Sequence, residues 1–305
     1  MSDENKAVET ASTCTSCGIS EIDDIKLVPC DDCDLVKYCS DECQRDHKSQ
    51  HENECNKRAA DLRDELLFKQ PESSHWGDCP ICMIPLPLDW RFVSYQCCSK
   101  RICKGCVRII LMRETDASTC CPFCRTEATT DEEDDNLRMK RIEAKDPNAM
   151  VHEGVLQYKK GDYDTAFEYY RKAAELGNIK AHFKLACLYH HGEGIEEDEE
   201  KEIHHLEQAA IGGHPDARYN LGFEEWKRGN NERAVKHWVI AATQGHDDSL
   251  TMMMEGFKDW GFVQKEDLAT ALRAHKAAVD ATKSPERELE ERITSRNLLD
   301  RLDDD

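Results

Sequence analysis

The chain has 305 residues, 17 cysteines and a formal net charge of −21, a length that allows about two to three domains. So negative a field repels phosphate backbones and argues against general nucleic-acid binding, and no apolar run approaches the roughly 18 residues of a membrane span, so no membrane partner is expected. The polar, acidic start has no apolar segment with a cleavage site, which predicts a reducing cytoplasmic or nuclear setting where close cysteine pairs bind metal rather than each other.

Residues 1–13 are polar and are expected to be disordered. The first ligand array follows within residues 14–58: Cys14-x2-Cys17, Cys30-x2-Cys33, Cys39-x3-Cys43 and His51-x3-Cys55. Cys43, His47, His51 and Cys55 recur every fourth residue and share one broad helical face, so the spacing leaves both His47 and His51 as candidates. A helical connector is expected over 59–76. The second array occupies 77–126: Cys79-x2-Cys82, Cys97-Cys98, Cys103-x2-Cys106 and Cys121-x2-Cys124, with Cys120 as a spare thiol or alternate ligand. Fifteen of the 17 cysteines lie in these arrays. Each array offers eight ligands, enough for two tetrahedral sites, so about four Zn²⁺ are expected as cofactors. Ligand cysteines bind as thiolates, which makes the loaded chain more negative still.

The second array encloses a basic island. Arg91, Lys100, Arg101, Lys104, Arg108 and Arg113 fall in a stretch with no Asp or Glu. That island is either a solvated rim or a docking surface for an acidic partner.

An acidic linker is expected over 127–145. From 146 to 284 helical periodicity takes over and the sequence repeats. The pairs Ala173-Ala174, Ala209-Ala210, Ala241-Ala242 and Ala277-Ala278 are spaced 36, 32 and 36 residues apart, a period that signals stacked helix pairs. The small residues permit close helix approach, and the following Gly177, Gly213 and Gly245 suit helix C-caps at positive φ. Tyr169, Tyr170 and Trp238 read as core; His190, His191, His204 and His205 read as helix surface. A charged helix and acidic tail, 285–305, are expected to cap the stack.

Three resemblances sharpen this reading. The first array, with Tyr38-Cys39-Ser40-x2-Cys43-Gln44 and His51-x3-Cys55, resembles a MYND zinc finger along its whole length. The resemblance implies His51 rather than His47, and an interleaved pairing: Cys14, Cys17, Cys39 and Cys43 in one site, Cys30, Cys33, His51 and Cys55 in the other. MYND fingers are protein-interaction modules that often take proline-containing peptides; Lys48 stands in the region where a groove-lining Trp is common. The second array resembles a RING finger over about 47 residues. Lys100 stands where a ligand His is usual, so the resemblance implies an all-cysteine variant: Cys79, Cys82, Cys103 and Cys106 cross-braced with Cys97, Cys98, Cys121 and Cys124. A RING implies a ubiquitin-conjugating enzyme as partner, docked on Ile81, Ile110 and Pro122, with Arg125 clamping its ubiquitin and no catalytic nucleophile in the chain itself. Finally, Ala181, Leu185, Tyr189, Gly192, Gly194, Ala209, Ala210 and Gly213 resemble a Sel-1-like repeat, a relative of the tetratricopeptide repeat, with the resemblance running over about 149–278.

The expected fold is therefore two small zinc-stabilised modules, MYND then RING-like cross-brace, followed by an all-α solenoid of Sel-1-like helix pairs. The expected function is protein interaction, as a RING-type ubiquitin ligase or ligase subunit that recruits substrate proteins through the repeats. The alternative is a non-enzymatic zinc-finger adaptor or scaffold.

Overall fold

The computed structural model describes residues 13–21, 25–88, 91–113, 120–127 and 130–302. The expected disordered start, through residue 12, lies outside the described residues. The chain packs as two units, Met1–Lys69 and Gln70–Asp305.

In the first unit a two-residue hairpin, β1 (Val28–Pro29) with β2 (Lys37–Tyr38), precedes one long helix, α1 (Asp41–Leu67). Ser40 starts the helix by accepting the Cys43 N–H, as an N-cap serine does. Of the helical connector expected over 59–76, residues 59–67 are the end of α1, whereas 68–76 form no helix and Trp76 belongs to the core of the second module. Of its 27 residues only His51, Cys55 and Leu67 are buried, so the helix has no apolar stripe to hold it; its ligands anchor it. The small core is Cys14, Leu27, Cys30, Cys33, Tyr38 and Cys55.

The second unit opens with the second module: an antiparallel pair, β3 (Phe92–Ser94) with β4 (Arg101–Cys103), then α2 (Lys104–Arg113). Its core adds Trp76, Leu86, Phe92 and Ile102 to the buried cysteines. The acidic stretch expected as a linker holds a helix, α3 (Asp131–Glu143). Thr130 and Glu133 form a capping box at its start, and Arg138 is buried in an ion pair with Glu153 at 2.7 Å.

Helix pairs follow: α4 (Pro147–Lys159) with α5 (Tyr163–Glu175), α6 (Ile179–His191) with α7 (Glu199–Ile211), and α8 (Pro215–Lys227) with α9 (Asn231–Ala242). The side chains of Asp146, Asp162, Asn178 and Asp198 cap four of these helices. Ala173, Ala209, Ala210, Ala241 and Ala242 are all buried, and Gly177, Gly213 and Gly245 all take positive φ.

Two glycines show how the pairs close. A Cβ on Gly154 would meet the Tyr170 ring at 2.5 Å, and one on Gly222 would meet the Trp238 indole at 2.4 Å. In both pairs the aromatic ring comes 16 residues later and seats on the bare backbone. Trp238 is fully buried and donates its indole N–H to the Tyr219 carbonyl at 3.2 Å.

The last pair departs from the pattern. After α10 (Asp247–Glu255) comes a π-helical turn, Gly256–Trp260, and then α11 (Lys265–Ala281). Here Ala271 is buried, whereas Ala277 is exposed and Ala278 only half-buried. The final helix, α12 (Pro285–Leu302), packs on α2 of the second zinc module. Among the described residues no helix is long and apolar enough to cross a membrane.

Candidate metal centres

Four turns of one design build the metal centres. In four of the five Cys-x2-Cys pairs, all but Cys103-x2-Cys106 at the start of α2, the residue after the second cysteine returns its N–H to the carbonyl of the first. Gly18 donates to Cys14 at 2.9 Å, Asp34 to Cys30 at 3.2 Å, Met83 to Cys79 at 2.8 Å and Arg125 to Cys121 at 3.0 Å. All four closing residues lie at positive φ: 76° for Gly18, 56° for Asp34, 55° for Met83 and 62° for Arg125. The left-handed conformation is costly for a side chain, so three of these turns hold a strained residue that the surrounding ligands fix. Single bridges flank three of the turns: Thr13 with Ser20, Asp78 with Pro85, and Cys120 with Glu127.

The turns bring sixteen side chains into four clusters: Cys14, Cys17, Cys39 and Cys43; Cys30, Cys33, His51 and Cys55; Cys79, Cys82, Cys103 and Cys106; and Cys97, Cys98, Cys121 and Cys124. Within each cluster all ligand atoms lie within 4.8 Å of one another. Four sulfurs around zinc at about 2.3 Å stand about 3.8 Å apart. The observed separations fit: 3.5 Å for Cys17–Cys39, 3.6 Å for Cys39–Cys43, 3.7 Å for Cys30–Cys55, 3.9 Å for Cys82–Cys103 and 3.7 Å for Cys98–Cys121. His51 turns its Nε2 to the Cys33 sulfur at 3.1 Å. His47 stands outside the clusters: its Nδ1 meets the Tyr38 hydroxyl at 3.1 Å and its ring stacks on His51. Cys97 and Cys98 both enter the fourth cluster, through a tight turn closed by Ser99 at φ 55°. Cys120 lies beside it in the bridge to Glu127.

The protonation chemistry suits a cation. Burial pushes the Cys14 thiol up, but N–H groups of Cys17, Cys39 and Ser16 outweigh it and bring the group down to about 6. Cys79 is brought down to about 7 in the same way, by Cys82, Cys103 and Ile81. Other members move the opposite way. Hydrogen bonds with Cys17 and Cys43, then burial, hold Cys39 up to about 12, and burial together with neighbouring thiols also pushes Cys97 and Cys106 up. Clustered thiolates repel one another unless a divalent ion sits among them, and zinc reverses that preference. These are zinc-binding modules, and the described residues offer four sites.

The four residues proposed to face a conjugating enzyme are placed differently from one another. Ile81 is exposed on its turn. Pro122 is half-buried. Ile110 is half-buried and packs against the module's own core. Arg125 is exposed, and its backbone closes the last turn.

The basic island is largely spoken for within the chain. Arg108 grips Glu290 of α12 with two bonds, at 2.6 and 3.4 Å, and Arg91 pairs with Glu291. Arg101 lies 4.8 Å over the Trp76 ring and donates to Asn148, and Lys100 lies 4.8 Å over Phe123. Sequence reading did not find Glu290, Glu291 or Arg287 of α12. The available signal was charge: a stretch of cations without acids, and a distant helix rich in acids.

The chain carries a MYND finger at residues 14–55 and Sel1 repeats at 150–178, 179–214 and 215–246. These matches leave the second array and the α10–α11 pair uncovered. Over 83 residues the chain is 34% identical to chitin synthase regulatory factor 4 of Schizosaccharomyces pombe, a match covering 27% of this chain and 13% of that protein. Among solved structures it is similar to a Sel1 repeat protein from Oxalobacter formigenes, at 23% identity and TM-score 0.44, over 52% of this chain and 67% of that one. It is also similar to the protective antigen c5321 of uropathogenic Escherichia coli, which displays an SLR fold, at 20% identity and TM-score 0.38, over 56% of this chain and 38% of that one. The molecule thus joins N-terminal zinc-binding modules to a helical Sel1-repeat solenoid, the make-up of a protein-interaction protein.

Proposed function

We propose that the second module is a RING-type docking site for a ubiquitin-conjugating enzyme. The chain then acts as a ubiquitin ligase or ligase subunit, with the Sel1 array and MYND finger holding substrate proteins. The observation that carries this reading is the interleaved pairing of the second array, first and third cysteine pairs in one cluster and second and fourth in the other, with Ile81 exposed on the first turn. Such a module has no nucleophile. It accelerates transfer by holding a ubiquitin thioester in a reactive pose, an entropic effect. Arg125, exposed directly after the last ligand, offers a planar fork that suits bridging two carbonyl-bearing surfaces.

A second reading, a non-enzymatic adaptor, draws on two observations. Ile110 is partly buried against the module's core, and the conformation of Arg125 is already explained by its turn. The similar yeast protein is named a regulatory factor, which also leans this way.

The deciding experiment is ubiquitin discharge by the purified, zinc-loaded chain against a broad panel of conjugating enzymes. The ligase reading expects discharge with at least one enzyme. Ile81→Ala should weaken docking, because a small interface depends on a few apolar anchors. Arg125→Ala should slow discharge at saturating enzyme while docking persists. No discharge with any enzyme, from protein holding its full zinc, leaves the adaptor reading standing.

A further inference from the structure

We propose that α12 delivers a cation, Arg287, to the zinc site of Cys79, Cys82, Cys103 and Cys106, so that docking of this helix and retention of that metal are coupled. The inference rests on zinc binding and not on the ligase reading.

Four thiolates around Zn²⁺ leave a site with two net negative charges, and in a cluster with three of its four cysteines buried that charge needs donors. Backbone N–H groups supply some; the Cys106 N–H points at the Cys103 sulfur at 3.4 Å. Arg287 supplies the remainder from 205 residues away, with its Nη2 3.6 Å from the Cys82 sulfur. The same guanidinium donates to the carbonyls of Pro85 at 2.7 Å, Thr282 at 2.7 Å and Ile84 at 3.1 Å.

Arg287 is only 7% exposed, and among the described residues it makes no ion pair with a carboxylate. A buried guanidinium served only by neutral carbonyls is poorly compensated. The anionic zinc–thiolate cluster is the counter-charge that makes its burial reasonable. Cys103, a second ligand of the same cluster, also interacts with this guanidinium.

The seat for this helix is specific. A Cβ on Gly105 would lie 2.8 Å from the Arg287 N and from the Glu286 carbonyl carbon, so the first turn of α12 rests on bare backbone of α2. Glu290 then locks to Arg108 and Glu291 to Arg91. Gly105 lies between the ligands Cys103 and Cys106, so this contact and the Cys82 contact converge on one cluster. Coupling of this kind is reciprocal: if the docked helix favours zinc, zinc favours the docked helix.

The test uses the full, zinc-loaded chain under a slow chelator. Pulsed alkylation and mass spectrometry read each cysteine as it comes free. For Arg287→Gln we expect Cys79, Cys82, Cys103 and Cys106 to be alkylated about tenfold faster, the usual scale for removing a group that orients or neutralises a ligand. The other twelve ligand positions should keep wild-type behaviour, with His51 read through its partners Cys30, Cys33 and Cys55. Arg287→Lys, which keeps the charge without the fork, should fall between. Glu290→Gln loosens the helix without touching sulfur and should stay within about twofold. In the reverse direction, amide exchange in 285–294 should quicken once zinc is removed. Wild-type rates at all four cysteines in Arg287→Gln overturn the proposal. So does equal acceleration across all eight ligands of the second array, which is plain unfolding, or a Glu290→Gln effect as large as that of Arg287→Gln, which is packing without the cation.

Discussion

The two zinc modules use the same turns yet are stabilised in different ways. Among the described residues of the first unit, five of the eight that are buried are ligands: Cys14, Cys30, Cys33, His51 and Cys55, beside Leu27, Tyr38 and Leu67. In the second module the ligands surround an apolar nucleus of Trp76, Leu86, Phe92 and Ile102. The second is also stitched into the helical array. Arg141 of α3 reaches the Gln96 carbonyl at 2.6 Å, His75 donates its N–H to the Gly213 carbonyl at 3.2 Å and stacks on His214, and α12 closes over α2. A shared ligand motif therefore does not imply shared energetics. One module depends on metal for almost all its burial, whereas the other adds burial and long-range contacts of its own.

Removing zinc should expose this contrast most strongly. Chelation is expected to unfold Met1–Lys69 completely, because nothing but a few side chains remains to offset chain entropy. The helices from α4 to α11 should persist, since their cores hold no metal ligand. Hydrogen exchange resolved by peptide checks both halves, with far-UV circular dichroism retaining most of its helical signal. Loss of protection across α4–α9 on chelation would break the comparison, by making the repeats as metal-dependent as the first unit.

Acid should come next, and it acts on the second unit through buried neutral histidines. Burial, with repulsion from Arg218 and Arg233, holds His237 down to about 3; burial with His214 beside it holds His75 down to about 2. In both the folded value lies below the unfolded 6.5. The unfolded chain therefore takes up protons first as pH falls. Stability is fully present above about 6.5 and declines below it, by about 1.4 kcal/mol per pH unit for each such group, until the folded value is reached. Thiolate ligands are lost in acid as well, so the measurement is a difference. His237→Phe should flatten the decline of the array's unfolding free energy between pH 6 and 4, by roughly one histidine's worth of slope. Parallel slopes for the two proteins would remove His237 from this account.

A smaller effect tests whether the metal-free half has its own packing determinants. Gly222→Ala gains about 1 kcal/mol of helix propensity, but its Cβ would press on a fully buried indole at 2.4 Å. Trp238 has no room to give, so the clash should win, with a net loss of about 1–3 kcal/mol. Thermal unfolding of the second unit should fall by several degrees while zinc content stays constant. A neutral or stabilising result would mean the Gly222 seat is not tight.

The ligand arrays and repeats were legible because both are local and periodic. Zinc pairs recur at fixed spacing, and Ala-Ala pairs recur on one helix face. The choice between His47 and His51 was not legible from spacing, since both lie on the same face; the Tyr38 hydroxyl settles where His47 goes. The left-handed position after the second cysteine of four pairs was not read from the sequence: Gly18 suits it, but Asp34, Met83 and Arg125 carry no local mark of it. The acidic stretch before α4 looked like a linker because its charges dominate composition, yet Thr130, Glu133 and Arg138 give it a cap and an anchor. The role of α12 depended on contacts some 200 residues apart, which no local pattern encodes.

The smallest expected difference concerns ion pairs. Arg58 and Glu65 meet at 2.8 Å on the outer face of α1, with side chains 33% and 63% exposed. Water screens such a pair, and two long side chains lose freedom to form it, so Glu65→Ala should change the stability of the first unit by at most about 0.5 kcal/mol. Arg108 and Glu290 in the second unit are 32% and 15% exposed, and the contact is a two-bond fork against a packed helix. Glu290→Ala should cost about 1 kcal/mol, because the carboxylate is more shielded and Arg108 is left facing α12 without it. Double-mutant cycles on each pair read the difference directly. Equal coupling energies would mean that the second module gains nothing electrostatic from its dock, leaving the Gly105 seat and the buried Arg287 to hold α12.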